Sequence, residues 1–335
     1  MHDFSPSITD WYRLNKRNLP WRATKDPYKI WLSEIILQQT RVDQGLAYYL
    51  KFIEHYPTVS DLANADEQTV LNDWQGLGYY SRARNLHSAA KHICSAFKGE
   101  FPNSFKEIIQ LKGVGTYTAS AIASFAFDEV KAVVDGNVYR VLSRVFDIST
   151  PIDTKQGQKE FQALADQLID QSNPAEHNQA IMEFGALMCT PKPDCERCPL
   201  QVKCLSLAAK TIDLRPVKTK KTKVKDRHFH LLIFSENGNT IIEQRTNKDV
   251  WQNMYQFPLI ESAESPTWKK DQIPFKVSES VKHVLSHQRI HAIFYHFDEF
   301  PKKLDENWLV IAQTDIQNYP IPRLIDRYLE EHGIE

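Results

Sequence analysis

Two short segments constrain this chain more than any other feature, and the first is a glycine-containing turn. Residues 111–119 have the sequence LKGVGTYTA, between apolar stretches over 105–111 and 116–127 that predict two helices. Glycine tolerates positive φ and leaves backbone N–H groups bare, so the turn can hold phosphate at the start of its second helix. Such a hairpin can bind a nucleic-acid backbone without recognising its sequence. The same glycine pattern also occurs in ordinary turns between two helices, which is the alternative interpretation. The expected phosphate contacts are Gly113, Val114 and Gly115.

The second segment is VVDGNV, which places Asp135 just before a helical run over 138–146. A negative charge at that position is stabilised by the helix dipole. An acidic residue there can be a simple helix cap or a reactive carboxylate, and the segment alone leaves both interpretations open.

A further carboxyl group, Glu34, lies in the segment PYKIWLSEIILQQT. Ile30, Trp31 and Leu37 stand three or four positions away, so helical spacing predicts Glu34 on an apolar stripe. Burial raises a carboxyl pKa towards that of a useful general acid. A buried structural ion pair is the alternative that this segment allows.

Together these segments resemble the endonuclease III superfamily of DNA glycosylases, with its helix-hairpin-helix and catalytic Asp. The bifunctional lyases of that superfamily carry a Lys two positions after the second glycine, where this chain has Tyr117. A Lys can form a Schiff base with the opened sugar, and a phenol cannot. The chain therefore resembles the monofunctional MutY-type adenine DNA glycosylases, in which SEIILQQT is similar to the segment with the catalytic Glu.

The resemblance implies a two-carboxyl mechanism similar to that of glycoside hydrolases. Glu34 would protonate the departing adenine at N7 and then help to activate water. Asp135 would stabilise the sugar cation, through its charge or through a transient covalent bond. The implied supporting hydrogen-bond partners are Tyr117 and Asn137.

An enzyme that acts on a base within a duplex must also flip that base out and fill the gap. By resemblance, Gln39 and Tyr79 are wedge residues, with Thr40 and Leu77 beside them. On its own, the segment GLGYY around Tyr79 equally predicts a turn that ends a helix. Two further positions are similar to adenine-pocket contacts, namely Arg22 in LPWR and Gln179 in HNQAIMEFG.

Four clustered cysteines predict a metal or cluster site, since four thiolates this close bind metal strongly. Their spacing is C-x5-C-x2-C-x5-C, and they are Cys189, Cys195, Cys198 and Cys204. Spacing alone leaves zinc and iron–sulfur open, and the resemblance implies a [4Fe–4S] cluster. The family's first spacing is one residue longer, which alters the geometry at Cys189. The fifth cysteine, Cys94, lies in a helical run and is expected to belong to the core.

Charge is unevenly distributed along the 335 residues. The net charge of −1 argues against nucleic-acid binding, but residues 215–227 hold seven basic residues and one acidic residue, a net +6. This stretch has no apolar periodicity and predicts a linker. It can be a solvated tether or a strap along phosphates that adds salt-dependent affinity.

The apolar period changes across this linker, which predicts an all-α domain followed by a smaller α+β domain. The predicted helical runs are 28–56, 67–75, 81–97, 104–127, 137–146, 158–170 and 178–189. The predicted strands are 228–234, 240–244, 291–297 and 308–312, with a hairpin turn at 236–239 and two undecided segments, 277–285 and 322–331. With the resemblance, the expected domains are a helix-hairpin-helix glycosylase domain over 1–214 (hairpin 105–127, cluster loop 189–204), the linker 215–227 and a Nudix-like domain over 228–335.

The resemblance in the last domain rests on WQNMYQFPLIE and HVLSHQRIHAIFYHF, which are similar to the domain that MutY-type enzymes use to sense 8-oxoguanine. Residues 228–335 lack the glycine-flanked acidic helix of a Nudix hydrolase, so pyrophosphohydrolase activity is not expected. Leu285, Ser286 and His287 fall where the family has Phe-Ser-His. The Ser286 hydroxyl can donate and accept hydrogen bonds, which suits lesion discrimination, and a plain polar turn is the alternative.

The expected partner is double-stranded DNA with adenine opposite 8-oxoguanine or guanine, bound by a monomer. No membrane-length apolar run and no secretory h-region are present, and clustered cysteines suit a reducing compartment, so a cytoplasmic protein is expected. Two other functions stay open. One is an endonuclease III-like pyrimidine glycosylase with lyase activity, which Tyr117 opposes. The other is a cluster-containing DNA-binding protein without turnover, which Glu34 and Asp135 oppose.

Overall fold

The computed structural model describes residues 3–219, 224–270 and 272–334. Contacts between Cα atoms group the chain into two units, Met1–Ala63 with Ser88–Lys220 and Asn64–His87 with Lys221–Glu335. Asn64–His87, which lies within the predicted first domain, thus groups with the C-terminal residues. Residues 220–223 of the predicted linker lie outside the described residues. Residues 225–227, the last three of the predicted linker, belong to a strand that begins at Lys225.

Helices make up the first part of the chain, in agreement with its apolar period. The helices are α1 Phe4–Asn15, α2 Pro27–Ile36, α3 Val42–His55, α4 Val59–Asn64, α5 Glu67–Asp73, α6 Ser81–Phe97, α7 Phe105–Ile108, α8 Thr116–Phe127, α9 Gly136–Val145, α10 Lys155–Leu168, α11 Pro174–Leu187 and α12 Leu205–Ala208. Short 3-10 turns lie at Pro20–Arg22, Gln201–Lys203 and Ile212–Leu214.

The apolar run over 28–56 is two helices rather than one. Asp26 caps the start of α2, where its carboxylate accepts a hydrogen bond from the Tyr28 backbone N–H at 3.0 Å. Between α2 and α3 the chain turns at Gln39, whose φ of 58° is left-handed and cannot continue a helix. The apolar pattern continued across this break because α2 is buried on most sides and α3 buries one face.

The hairpin has a shorter first helix than predicted. Helix α7 ends at Ile108, and turns replace the predicted helix up to residue 111. Gly113 has a φ of 81°, which a residue with a side chain rarely adopts. Gly115 is the N-cap of α8 and offers no side-chain cap, so no side-chain group occupies the N–H groups of the first turn.

Packing of α9 against α11 fixes the start of α9. Val138, Val141 and Phe184 belong to one buried core that also receives α1 and α10. At Gly185 the two helices approach closely, because a Cβ there would lie 2.7 Å from the Cβ of Asn137. This close packing holds the residues before and within the first turn of α9, including Asp135, against α11.

The second unit contains a mixed sheet and a C-terminal helix. The strands are β1 Lys225–Glu236, β2 Asn239–Gln244, β3 Tyr255–Gln256, β4 Leu259–Glu261, β5 Lys276–Val277, β6 Val281–Val284, β7 Gln288–Phe297 and β8 Trp308–Ala312. Strand order along the main path is β3-β2-β1-β7-β5, with β1 and β7 parallel and the other pairs antiparallel. Helix α13 spans Arg323–His332 and follows a 3-10 turn over Gln313–Asn318.

The second unit contains the predicted hairpin and both segments whose secondary structure the sequence left open. The predicted hairpin joins β1 to β2 through Asn237 and Gly238, both at positive φ. The undecided segment 277–285 contains strand β6, and 322–331 is largely helix α13. No helix within residues 3–219, 224–270 and 272–334 has the length and apolar character needed to cross a bilayer.

Candidate active site

An open cleft of about 1950 Å³ in the first unit brings together most of the predicted site residues. Its walls come from α2, α8, α9 and α11 and from the turns at residues 20–22 and 37–41. Predicted residues that line it are Arg22, Glu34, Gln39, Thr40, Tyr117, Asp135, Asn137 and Gln179.

Glu34 lies on α2 and is 7% exposed. Burial, with a smaller contribution from the charge of the nearby Asp135, raises the pKa of its carboxyl group to about 7. A hydrogen bond from the Tyr117 hydroxyl and the charge of Arg22 act in the opposite direction. A carboxyl group with this pKa can hold a proton near neutral pH and release it to a leaving group.

Asp135 is the N-cap of α9. Its carboxylate accepts hydrogen bonds from the Val138 backbone N–H at 2.7 Å and from Nδ2 of Asn137 at 3.0 Å. The pKa of Asp135 is raised on balance, because burial outweighs the lowering effect of these donors and of the Arg140 charge. The start of a helix therefore surrounds this carboxylate with donors that favour its ionised form.

The two carboxyl groups have different environments. Glu34 receives a side-chain hydrogen bond from Tyr117, whereas Asp135 receives backbone and side-chain hydrogen bonds at a helix N-terminus. Two carboxyl groups in different hydrogen-bonding environments can take different roles, one as a proton donor and the other as an anion. The geometry can thus supply a proton and a stabilising negative charge within one cleft.

Glu183 is a cleft residue that the sequence patterns did not reveal. Its side chain is fully buried and accepts paired hydrogen bonds from Arg22, at 2.9 and 2.7 Å, and from Arg17, at 2.9 and 2.7 Å. Although burial opposes ionisation, the two guanidinium groups lower the pKa of Glu183 to about 2. The sequence could have indicated Glu183, because it lies four residues after Gln179 on α11 and residues at that spacing share a helix face.

Arg140 is a second residue that sequence reasoning missed. It donates to the carbonyl oxygen of Cys189 at 2.7 Å and to Oδ1 of Asn137 at 2.8 Å. It also donates to the carbonyl oxygen of Gly185 at 2.6 Å. Arg140 therefore orients the Asn137 amide so that its nitrogen can donate to Asp135.

Leu77 and Tyr79 lie in the second unit, in the turn between α5 and α6. Tyr79 is 46% exposed and has a φ of 49°, whereas Leu77 is only 7% exposed. The Arg82 guanidinium donates to the Leu77 and Gly78 carbonyl oxygens and lies 5.7 Å from the centre of the Tyr79 ring. The exposed ring of Tyr79 is thus held in an unusual backbone conformation, while Leu77 packs inside the turn.

Leu285, Ser286 and His287 form the turn between β6 and β7. The Leu285 backbone N–H donates to the Gln288 carbonyl at 2.8 Å, which closes the turn. Ser286 and His287 are exposed, and the Ser286 hydroxyl is hydrogen-bonded to the Tyr79 hydroxyl. The second unit therefore places the predicted lesion-contacting Ser beside the predicted wedge Tyr.

The four clustered cysteines line one small cavity at the end of α11. Arg144 is buried beside it and lies 3.6 Å from Sγ of Cys189. Burial raises the pKa of Cys195, Cys198 and Cys204. Among the described residues, no three His, Cys, Asp or Glu side chains are grouped as a single-ion site would require. Cys94 lies apart in α6, near Ser60.

Comparisons with known proteins identify the family of this chain. The model of the HhH-GPD superfamily of base excision DNA repair proteins matches residues 32–167, and a NUDIX domain model matches residues 229–331. An adenine DNA glycosylase of Buchnera aphidicola subsp. Schizaphis graminum is 35% identical, with 87% of this chain and 86% of the relative covered. An adenine DNA glycosylase of Buchnera aphidicola subsp. Acyrthosiphon pisum is 32% identical, with 98% and 97% covered. A solved thermostable thymine-DNA glycosylase is 30% identical with a TM-score of 0.58, over 62% of this chain and 96% of that one.

The fold and the two-carboxyl cleft define a DNA glycosylase of the helix-hairpin-helix class. Within that class, the chain belongs to the adenine DNA glycosylase family. The predicted fold class, a helical glycosylase domain followed by a smaller Nudix-like domain, is confirmed. The expectation of a base-excision-repair enzyme is confirmed as well.

Proposed function

We propose that this enzyme hydrolyses the N-glycosidic bond of adenine opposite 8-oxoguanine or guanine in duplex DNA, and that it has no lyase step. The observation that carries the proposal is the pairing of Glu34 and Asp135 in one cleft, where Glu34 has a pKa raised to about 7 and Asp135 is held by hydrogen-bond donors at the start of α9. The curated relatives named adenine DNA glycosylase support adenine as the base.

Glu34 acts as the general acid. Its proton passes to N7 of the flipped adenine, and the bond between C1′ and N9 breaks with its electron pair moving to the base. The resulting Glu34 carboxylate then accepts a proton from the attacking water. Tyr117 keeps the carboxyl group oriented through its hydrogen bond.

Asp135 stabilises the positive charge that develops on the sugar. Its carboxylate is held by Val138 and Asn137, so it is in place before the charge forms. Water adds to C1′ and leaves an abasic site. Since Tyr117 occupies the position at which a lyase of this superfamily has Lys, no Schiff base forms there.

Recognition of the opposite base is assigned to the second unit. Ser286 and Tyr79 are exposed and hydrogen-bonded to each other, so both are available to one nucleotide. Gln39, exposed at positive φ, and Thr40 lie at the cleft in the first unit and would fill the gap left by the flipped adenine. The hairpin residues Gly113, Val114 and Gly115 would hold the backbone through the uncapped start of α8.

A [4Fe–4S] cluster is proposed at the cavity lined by Cys189, Cys195, Cys198 and Cys204. The donor set fits, because four thiols surround one cavity and the buried Arg144 can offset thiolate charge. The chemistry that a bound cluster supplies is a covalent tie among the four cysteines. Arg144 and Arg140 each donate to backbone carbonyls between residues 185 and 191, so these side chains secure the loop from the helical side.

Release of free adenine from a duplex with one adenine opposite 8-oxoguanine tests the proposal. Wild-type protein is expected to release the base, and Glu34→Gln is expected to lose at least a hundredfold in single-turnover rate, since general acid catalysis contributes about 10²–10⁴-fold. Glu54→Gln, on the exposed face of α3, is the matched control and is expected to retain activity. Unchanged release by Glu34→Gln at equal DNA binding would contradict the assignment of the acid.

A further inference from the structure

Tyr12 lies directly behind the wall of the cleft. It is on α1, is 2% exposed and does not itself line the cleft. Its hydroxyl donates a hydrogen bond of 2.7 Å to Oε1 of Gln179, on α11. Burial raises the pKa of Tyr12, so its hydroxyl stays protonated and acts as the donor.

This hydrogen bond decides which end of the Gln179 amide is available to a base. A glutamine amide has an oxygen that accepts and a nitrogen that donates. Because Tyr12 engages Oε1, the amide nitrogen is the group that Gln179 offers to the cleft. The neighbouring Arg22 also has only donors, and its guanidinium lies 5.7 Å from the centre of the Tyr12 ring. Tyr12 thus contacts two polar residues that line the cleft, Gln179 and Arg22.

A donor that faces N1 of the base distinguishes purines by that ring nitrogen. The N1 atom of adenine carries a lone pair and accepts a hydrogen bond, whereas N1 of hypoxanthine or guanine carries a hydrogen. Placing an N1–H against a donor leaves both groups unpaired in a partly buried site, which is costly.

We propose that Tyr12 is a positioning residue that sets base specificity by fixing the Gln179 amide with its nitrogen towards the cleft. The proposal rests on adenine excision as the proposed function. Without the Tyr12 hydroxyl, the amide can rotate and present Oε1, which accepts from an N1–H. Selectivity for adenine over hypoxanthine then falls.

The chain provides a matched control for the loss of a buried tyrosine hydroxyl. Tyr28 is 5% exposed, and its hydroxyl donates a 2.7 Å hydrogen bond to the Tyr56 carbonyl oxygen. Tyr12→Phe and Tyr28→Phe therefore remove equivalent groups, and only the first of these groups contacts a residue of the cleft.

Single-turnover excision would be measured on duplexes with adenine or hypoxanthine opposite 8-oxoguanine. For Tyr12→Phe, the ratio of the hypoxanthine rate to the adenine rate is expected to rise roughly tenfold, the effect of one hydrogen bond. Tyr28→Phe is expected to lower Tm by about as much as Tyr12→Phe does, and to leave the ratio of excision rates unchanged. In a Gln179→Leu background, Tyr12→Phe is expected to cause no further change in the ratio.

Three results would overturn the proposal while adenine excision stands. They are an unchanged ratio in Tyr12→Phe, an equal change in Tyr28→Phe, and a full additional change in the Gln179→Leu background. Absence of adenine release by wild-type protein is a different result, because it removes the proposed function and the role of Tyr12 with it.

Discussion

The carboxylate of Glu183 accepts two hydrogen bonds from the guanidinium of Arg22, at 2.9 and 2.7 Å, inside the cleft wall. Arg17 binds the same carboxylate, whose side chain has no solvent exposure. A single buried acidic residue thus holds two arginines, one of which is assigned to the adenine pocket. Breaking such a pair is costly because the remaining charges lose their partner.

Glu183→Gln is therefore expected to lower the free energy of unfolding by roughly 3 kcal/mol at pH 7. The pKa of Glu183 is about 2 in the folded protein and near 4.5 when unfolded. The contribution of its charge is then complete above pH 4.5 and is lost as the pH falls to 2. Urea unfolding of both proteins across this range measures the difference.

Glu176→Gln is the control for this prediction. Glu176 lies on the same helix, α11, but pairs with Arg13, whose side chain is 56% exposed. Exposed pairs contribute about 1 kcal/mol or less. Equal destabilisation by the two variants would contradict a larger contribution of the buried ion pair to the free energy of unfolding.

Excision is expected to depend on pH through Glu34, whose pKa is about 7. The acid must be protonated, so the single-turnover rate should fall about tenfold per pH unit above 7. Tyr117→Phe removes a hydrogen bond that lowers this pKa, so the alkaline limb is expected to move to higher pH. Tyr139→Phe, on α9, serves as the control. A limb that moves equally in both variants would contradict the Tyr117 contact.

The raised pKa of Glu34 also affects stability. Between pH 4.5 and 7 the unfolded chain releases the Glu34 proton while the folded protein retains it, so wild-type stability falls over this range by about 3 kcal/mol. Glu34→Gln has no such proton. It is expected to be more stable than wild type at pH 8 and equal to it below pH 4.5. Denaturant unfolding at the two pH values provides the measurement, and an equal difference at both would contradict the buried acid.

Loss of one clustered cysteine is expected to remove the proposed cluster. Cys195→Ser should lose most bound iron, whereas Cys94→Ser should retain the wild-type content of about four irons per chain. Iron and zinc analysis together with visible absorption would show the difference. One zinc per wild-type chain, or equal iron loss in both variants, would contradict a [4Fe–4S] site at these cysteines.

Sequence patterns predicted the cleft residues that lie within short motifs, and they missed residues that act across the fold. Glu34 could be singled out because helical spacing places its carboxyl group among apolar residues. Asp135 could be singled out because it directly precedes a predicted helix, whose dipole stabilises a negative charge. Nothing local links Arg22 to Glu183, since that contact depends on how α11 packs. The apolar period also continued across the break at Gln39, because one residue in the left-handed conformation does not interrupt the spacing of the apolar residues on either side.

The decisive measurement is whether strand breakage at a single adenine opposite 8-oxoguanine depends on alkali. Breaks are expected only after alkali treatment, because water replaces the base and Tyr117, in the position of the lyase Lys, cannot form a Schiff base. Breaks without alkali would reveal a lyase. No breaks in either condition, from protein that binds the duplex, would contradict adenine excision by Glu34 and Asp135.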